Sequence, residues 1–206
     1  MCNFPVYDYA RIQRVTADLF LWQGLRFVPF GLTYLIVAAG FNPWWPVPDR
    51  WIAATLVGGL LVSSVAFWAI SAYYQRAFGQ VRGLSGLHRR REGIKWLIVY
   101  PALGASLMVD GVLRPNIFVS GLVWAAAIVA YWWSTGRGRP HYLVGAALLA
   151  IFSVLPALGL LTGVRPLFSA FFALLGVLAI MSGILDHLEL AHLLRPVQRE
   201  RHEHAV

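Results

Sequence analysis

Six runs of apolar residues dominate this chain, and each is long enough to cross a membrane as an α-helix. The hydrocarbon core of a bilayer is about 30 Å thick, which takes roughly 17–25 helical residues. The runs lie at 20–40, 51–73, 95–113, 117–134, 142–161 and 166–187. They are continuous and do not alternate with period two, which excludes a β-barrel. Of 206 residues, 59% are hydrophobic and 13% charged, too apolar for a soluble core. The sequence therefore predicts an all-α polytopic membrane bundle of six transmembrane helices.

Short polar breaks separate the runs and predict helical hairpins, three in all. Asn42-Pro43 and Arg114-Pro115-Asn116 are typical turn sequences. Before the first run, Ile12, Val15 and Leu19 recur at helical spacing. We therefore expect residues 1–19 to form a cytoplasmic interfacial amphipathic helix. Residues 20–194 then form the transmembrane domain, with a basic cytoplasmic loop at 76–95, and residues 195–206 form a charged cytoplasmic tail.

The basic residues fall mainly on one side of the predicted membrane. The formal net charge is +8, from 17 Lys and Arg against nine Asp and Glu. With the N-terminus inside, only Arg50, Arg114 and Arg165 face outward. Positively charged loops stay in the cytoplasm, so we expect both termini there, in a multi-pass protein of the bacterial inner (cell) membrane. Topology thus explains the basic charge, and we expect no nucleic-acid partner.

A short motif recurs in outward-running spans. Pro101-Ala102-Leu103-Gly104 in the third run matches Pro156-Ala157-Leu158-Gly159 in the fifth, and the first run has a looser version that begins at Pro29. The recurrence suggests a threefold hairpin repeat. A proline inside a span frees a carbonyl and kinks the helix. Kinks at Pro29, Pro101 and Pro156 would open a ligand or lipid cavity or would only adjust helix packing, and both interpretations stay open.

Small residues four apart offer sites where two membrane helices can approach closely. Three such pairs are Gly59 with Ser63, Gly159 with Gly163, and Ala179 with Gly183. These contacts would form within one chain or between chains, so a homo-oligomer stays open.

Ionisable residues within or beside the spans gather near the cytoplasmic end. Arg26 lies in the first run, and Asp186 and His187 close the sixth, followed by Glu189 and His192. Charges in hydrocarbon cost at least a few kcal/mol each, so they point to function. We predict an inner-face cluster of these five residues in which Arg26 pairs with the carboxylates. In the alternative, Arg26 snorkels to phosphate and residues 186–192 lie in water.

The predicted inner face also carries a strongly basic and aromatic set. Its members are Tyr73, Tyr74, Arg76, Arg82, Arg89, Arg90 and Arg91. Basic residues near an anionic membrane surface contribute about 1 kcal/mol each, so anionic lipid headgroups are one expected partner. A soluble protein with an acidic surface is the other.

Motifs for catalysis are missing from the sequence. It has no Gly-x-Ser-x-Gly, no His-Glu-x-x-His, and no Gly-Lys-Ser/Thr in its glycine-containing basic loop. His187 and His192 are five apart and do not share a helix face, which disfavours a metal site. We expect no cofactor, metal or catalytic residue, and an enzyme is the least supported class.

Two stretches carry a resemblance to known sequences. They are Tyr73-Tyr74-Gln75-Arg76-Ala77-Phe78-Gly79-Gln80-Val81 and Gly183-Ile184-Leu185-Asp186-His187-Leu188-Glu189-Leu190. Together they resemble an uncharacterised group of bacterial six-span integral membrane proteins. The resemblance implies the same span pattern and supplies no activity or substrate.

Charge concentrated on one face and nearly absent from the bilayer centre favours a docking role. We expect a non-enzymatic membrane regulator or accessory subunit that docks a partner or anionic lipid on its cytoplasmic face. The alternative is a small transporter or a half-permease of an export system, with a ligand or lipid cavity between Pro-kinked helices.

Overall fold

The computed structural model describes residues 24–42, 44, 47–78, 101–113, 116–134, 140–161 and 163–203, and the regular elements in these ranges are all helical. They are α1 (Val28–Gly40, after a 3-10 turn at Gly24–Phe27), α2 (Asp49–Phe78), α3 (Pro101–Leu113), α4 (Val119–Ser134), α5 (Pro140–Val154, before a 3-10 turn at Leu155–Leu158) and α6 (Val164–Glu203). The interfacial helix predicted at 1–19 and most of the basic loop predicted at 76–95 lie outside the described residues.

Three of the described helices are long and apolar enough to cross a membrane. They are the segments Asp49–Tyr74, Pro140–Leu158 and Val164–His192, of 26, 19 and 29 residues. Three shorter apolar helices, Gly24–Gly40, Pro101–Leu113 and Val119–Trp133, accompany them. The predicted all-helical fold is confirmed, while the count of six spans stays a prediction.

Glycines bring α1 and α6 into backbone contact. A Cβ atom placed on Gly183 would lie 2.8 Å from the carbonyl oxygen of Gly24, and one on Gly176 would lie 2.8 Å from that of Gly31. Both pairs are reciprocal, because a Cβ on Gly24 or Gly31 would meet the opposite glycine's carbonyl oxygen. Gly24 and Gly31 are seven residues apart, as are Gly176 and Gly183, and the earlier glycine of each pair meets the later glycine of the other. The two helices therefore run antiparallel along a seam of small residues. We call these four residues the glycine seam.

Helices α1 and α2 meet through one of the small pairs predicted from the sequence. The hydroxyl of Thr33 donates to the carbonyl oxygen of Gly59 at 3.2 Å and shares a hydrogen bond with the Ser63 hydroxyl at 2.9 Å. The pair of Gly59 and Ser63 is therefore a helix contact within the chain. Gly159 and Gly163, by contrast, have φ of 70° and 96° in the connection before α6, so they form no helical pair.

Adjacent glycines on α2 give a matched test of this contact. A Cβ at Gly59 would collide with the side chain of Thr33, whereas one at Gly58 would meet nothing within 4 Å. We expect Gly59→Ala to lower the free energy of unfolding by about 1–3 kcal/mol through overpacking. Gly58→Ala should leave it unchanged or raise it by up to about 1 kcal/mol through helix propensity. Thermal unfolding in detergent measures both variants, and equal effects would contradict the contact.

Aromatic side chains fill the core at the end of the bundle where α1 ends and α6 begins. Phe118 packs edge-on against Phe171, with ring centroids 4.8 Å apart. Phe41 stacks on Phe168 and Phe172 at 5.5 and 5.8 Å. Because these rings come from residues before α2, before α4 and within α6, they join three parts of the chain.

Asp110 caps the N-terminus of α4, at the same end of the bundle as these aromatic side chains. The backbone N–H groups of Val119 and Ser120 donate to its two carboxylate oxygens at 2.8 and 2.7 Å. These groups belong to the first turn of α4, where N–H groups lack partners within the helix and a negative charge is favourable. Asp110 is buried on α3, so its carboxylate fixes the α3–α4 hairpin.

Removing this cap should destabilise the bundle. We expect Asp110→Ala to lower the free energy of unfolding by about 2 kcal/mol, the upper range for an N-cap. Asp110→Asn keeps one acceptor and should cost less. The control is Asp49→Ala, which removes an exposed carboxylate paired with Arg165. Such surface pairs contribute about 1 kcal/mol or less, so a larger loss in Asp49→Ala than in Asp110→Ala would refute the cap's importance.

The prolines predicted to kink helices lie where the backbone changes between 3-10 and α geometry. Pro29 occupies the first turn of α1, directly after the 3-10 turn. Pro156 lies in the 3-10 turn that follows α5. In both places the missing N–H has little cost. Pro101 is exposed at the first described residue of α3.

The two copies of the repeated motif have different conformations. Pro101–Gly104 is α-helical, whereas Pro156–Leu158 is a 3-10 turn that ends at Gly159 in the left-handed region. The motif therefore does not mark one recurring local structure, and the hairpin repeat receives no support from it.

Candidate functional site

A group of buried and partly buried polar side chains lies at the end of the bundle opposite Asp110. Its members are Arg26, Tyr74, His141, Tyr142, Asp186 and His187. We call them the polar cluster, and the end of the bundle that holds them the polar end.

Asp186 is the centre of the polar cluster. It is 0% exposed, and its two oxygens have separate partners on α5. The Tyr142 hydroxyl donates to Oδ2 at 2.7 Å, and His141 Nε2 lies 3.2 Å from Oδ1. Buried carboxylates are retained only where such groups replace water. Asp186 thereby ties α6 to the first turn of α5.

The helical register of α6 explains why Asp186 faces inward. Gly183, Asp186 and Leu190 are spaced by three and four residues, and all three are buried. Gly183 contacts Gly24, and a Cβ placed on Gly24 would also meet the Cβ of Asp186. The close approach at the glycine seam therefore brings the 3-10 turn before α1 against the polar cluster.

A second hydrogen bond joins α6 to α2. The Tyr74 hydroxyl lies 2.7 Å from His187 Nδ1, and the two rings meet edge-on with centroids 6.0 Å apart. Tyr74 is fully buried and His187 partly exposed. Neighbouring residues on α6 thus bind two different helices, since Asp186 faces α5 and His187 faces α2.

Arg26 is 2% exposed in the 3-10 turn before α1. Its guanidinium carbon lies 4.8 Å from the ring centroid of Phe67, a cation–π geometry. A side chain this deeply covered leaves little surface for a lipid phosphate, which disfavours the snorkelling interpretation. The Oδ1 atom of Asp186 lies 3.2 Å from His141 Nε2, and the pairing of Asp186 with Arg26 stays a prediction.

The structure brings together three of the five residues predicted as an inner-face cluster. Arg26, Asp186 and His187 belong to the polar cluster, whereas Glu189 and His192 are exposed. Glu189 is three residues beyond Asp186, but the buried face of α6 continues through Leu190. The helix therefore turns Glu189 toward its outer side.

The predicted set of lipid or partner contacts is divided in the same way. Tyr73 is 61% exposed and Arg76 is also exposed, both at the polar end. Tyr74 is buried in the polar cluster, so its expected role as a surface contact does not fit the structure. Arg82, Arg89, Arg90 and Arg91 lie outside the described residues.

Sequence reasoning missed His141 and Tyr142. The fifth predicted run begins at residue 142, which leaves His141 outside the span. The helix α5 instead begins at Pro140 and includes both residues. A proline followed by two polar aromatic residues at the start of a span is a usable signal, since proline favours the first helical position.

No family model, curated protein or solved structure matches this chain. The polar cluster is therefore interpreted from its own geometry alone. Among the residues that the structure describes, no group of three or more His, Cys, Asp and Glu side chains is arranged to hold a metal ion.

An apolar cleft of about 310 Å³ lies away from the polar cluster. It is formed where α1 ends and α2 begins, and it is lined by Ile36, Val37, Ala39, Gly40, Val47, Ile52 and Thr55. None of Pro29, Pro101 and Pro156 lines it. A cavity in this part of the chain is thus not the product of the predicted proline kinks.

Proposed function

We propose that the chain is a multi-pass membrane protein of six spans with both termini in the cytoplasm. Three helices of spanning length and three shorter apolar helices support this arrangement. The described charges support the orientation, because Arg50 and Arg165 lie at the end opposite the polar cluster, whereas Arg26 and Arg76 lie at the polar end. In this orientation the polar end faces the cytoplasm of a bacterial cell.

Its function, in this proposal, is that of a non-enzymatic regulator or accessory subunit that docks a partner at the polar end. The length of α6 carries the proposal. At 40 residues, α6 is about 60 Å long, whereas a bilayer with its headgroups is about 40–45 Å thick. The helix therefore extends about 15 Å beyond the membrane, and Asp186 and His187 fix it to α5 and α2 about two turns before that extension begins.

Exposed side chains surround the base of the extension. Tyr73 and Arg76 on α2 and Glu189 and His192 on α6 all lie at the polar end. Exposed tyrosine and arginine are the side chains most often found as binding anchors in protein interfaces. We call these four residues the docking face.

Two exposed aromatic residues at opposite ends provide the test. The full chain, extracted in mild detergent, is used to recover partners from native membranes and cytoplasm. We expect Tyr73→Ala to lose a partner that Trp44→Ala retains, because Trp44 is 91% exposed at the other end. Failure to recover any partner, or equal loss in both variants, would refute the docking function.

The apolar cleft favours a second candidate, a small transporter or half-permease that handles a lipid or apolar ligand. Its volume is at the lower end of the 300–1,000 Å³ that is typical of ligand sites. If this candidate is correct, Ile36→Trp, which fills the cleft, will reduce lipid or ligand flux in proteoliposomes, while Tyr73→Ala will not.

A further inference from the structure

The apolar cleft lies at the depth where the acyl chains of a bilayer begin. The segment of α2 that is long enough to span a membrane starts at Asp49. Ile52 and Thr55 line the cleft three and six residues further along, about 5 and 9 Å along the helix axis. Each headgroup layer of a bilayer is about 5–7 Å thick. With Asp49 at the membrane surface, the cleft therefore extends from the headgroups into the first part of the chains.

The cleft has a buried floor and an open side. Its floor includes Val37 and Ile52, which are 1% and 4% exposed. On its open side, Ile36 is 61% exposed and Thr55 is exposed as well. Of the described residues that line it, only Thr55 has a polar side chain. Apolar cavities stay dry, because a confined water molecule needs two to four polar partners. In a membrane the open side faces hydrocarbon, so an acyl chain fits the cleft.

Opposite charges lie side by side at the rim of the cleft. Arg165 donates from Nη2 to the carbonyl oxygen of Val47, a lining residue, at 3.2 Å and to Asp49 Oδ1 at 2.5 Å. The side chains of Asp49 and Arg165 are 82% and 39% exposed. Each therefore keeps surface on which a further charged group can bind. The pair offers one cation and one anion with no net charge between them.

We propose that the cleft binds one zwitterionic phospholipid, with an acyl chain between α1 and α2, its phosphate on Arg165 and its ammonium group on Asp49. The headgroup of phosphatidylethanolamine carries this pair of charges, and hydrogen bonds between charged groups are the strong ones. An anionic lipid would place its phosphate beside Asp49 without an ammonium group to offset the repulsion. Arg50 lies on the other side of α2 from Ile52 and Thr55, so it does not belong to the site.

Two pairs of matched variants test the site. Each full-length protein is equilibrated in mild detergent with equal amounts of phosphatidylethanolamine and phosphatidylglycerol, and native mass spectrometry gives the amount of each lipid retained. Ile36→Trp fills the cleft, and its control is Leu32→Trp, which adds the same bulk one turn away at an exposed position that does not line the cleft. Asp49→Asn removes the contact for the ammonium group, and its control is Arg50→Gln, which removes a neighbouring exposed charge.

We expect wild type to retain more phosphatidylethanolamine than phosphatidylglycerol. Ile36→Trp should lower the lipid retained about tenfold, the factor for two buried methylene groups at about 0.8 kcal/mol each. Leu32→Trp should change it less than twofold. Asp49→Asn should lower the ratio of phosphatidylethanolamine to phosphatidylglycerol about fivefold, the factor for an exposed ion pair of about 1 kcal/mol. Arg50→Gln should change this ratio less than twofold.

No preference for phosphatidylethanolamine in wild type, or equal losses in Ile36→Trp and Leu32→Trp, would overturn the inference. So would a different apolar molecule, or a second copy of the chain, that wild type retains and Ile36→Trp loses. The inference rests on the proposed membrane insertion and deepens the second candidate function by naming its ligand. Binding is measured without flux, so a protein that retains lipid in this way but shows no flux in proteoliposomes would refute the transporter alone.

Discussion

An Asp186→Ala variant will be among the least stable single variants of this protein. The change leaves the Tyr142 hydroxyl without this acceptor and removes the carboxylate that lies 3.2 Å from His141 Nε2. A hydrogen bond to a charged group contributes about 1.5–3 kcal/mol, so we expect the free energy of unfolding to fall by about 2–3 kcal/mol. The midpoint of thermal unfolding in detergent, followed by circular dichroism, measures the loss.

Glu189 is the matched control for this prediction. It is a carboxylate on the same helix, three residues away, but it is exposed. Glu189→Gln should change the free energy of unfolding by no more than about 0.5 kcal/mol, as surface changes usually do. A double-mutant cycle with Tyr142→Phe should give a coupling energy of about 0.5–3 kcal/mol, because the two side chains are in direct contact. Additive effects would mean that the hydrogen bond contributes nothing to stability.

Substitutions in the glycine seam should have the other large effect. At Gly176 an added Cβ would lie 2.8 Å from the carbonyl oxygen of Gly31 and 2.8 Å from Leu35 Cγ. Because a backbone oxygen cannot rotate away, the helices must separate. We expect Gly176→Ala and Gly183→Ala each to lower the free energy of unfolding by about 1–3 kcal/mol.

The double variant Gly176→Ala/Gly183→Ala should lose the monodisperse peak in size-exclusion chromatography, because both contacts of α1 with α6 open together. Gly145→Ala is the control, since its Cβ would lie at an ordinary 3.5 Å from Leu178. A seam variant that is as stable as this control would show that the α1–α6 distance is not set by the glycines.

Apolar runs were sufficient to predict where the helices are. Run 117–134 corresponds to α4 at Val119–Ser134. Two helices extend well past their runs, α2 to Phe78 and α6 to Glu203. The reason is physical: hydrophobicity reports where lipid ends, whereas backbone hydrogen bonding continues into water when the residues permit a helix.

Only half of the members of the polar cluster could be predicted from the sequence. Arg26 and Asp186 were identified because charged residues beside apolar runs are costly and rare. Tyr74 was assigned to the surface, and His141 and Tyr142 were not identified, because residue spacing gives the faces of one helix but does not say which helices are adjacent. Only the fold shows that α6 lies against α1, α2 and α5 at the polar end.

The position of α6 in the chain also determines when the bundle can assemble. Helix α6 follows the other five described helices in the chain, yet it supplies Gly176 and Gly183 to the glycine seam and Asp186 and His187 to the polar cluster. Contacts between residues far apart in sequence form late. Until α6 has been made, Gly24 and Gly31 therefore lack their contacts with Gly183 and Gly176. The bundle therefore closes only once α6 has been made, and a chain that stops before residue 176 would leave Gly24 and Gly31 without their contacts.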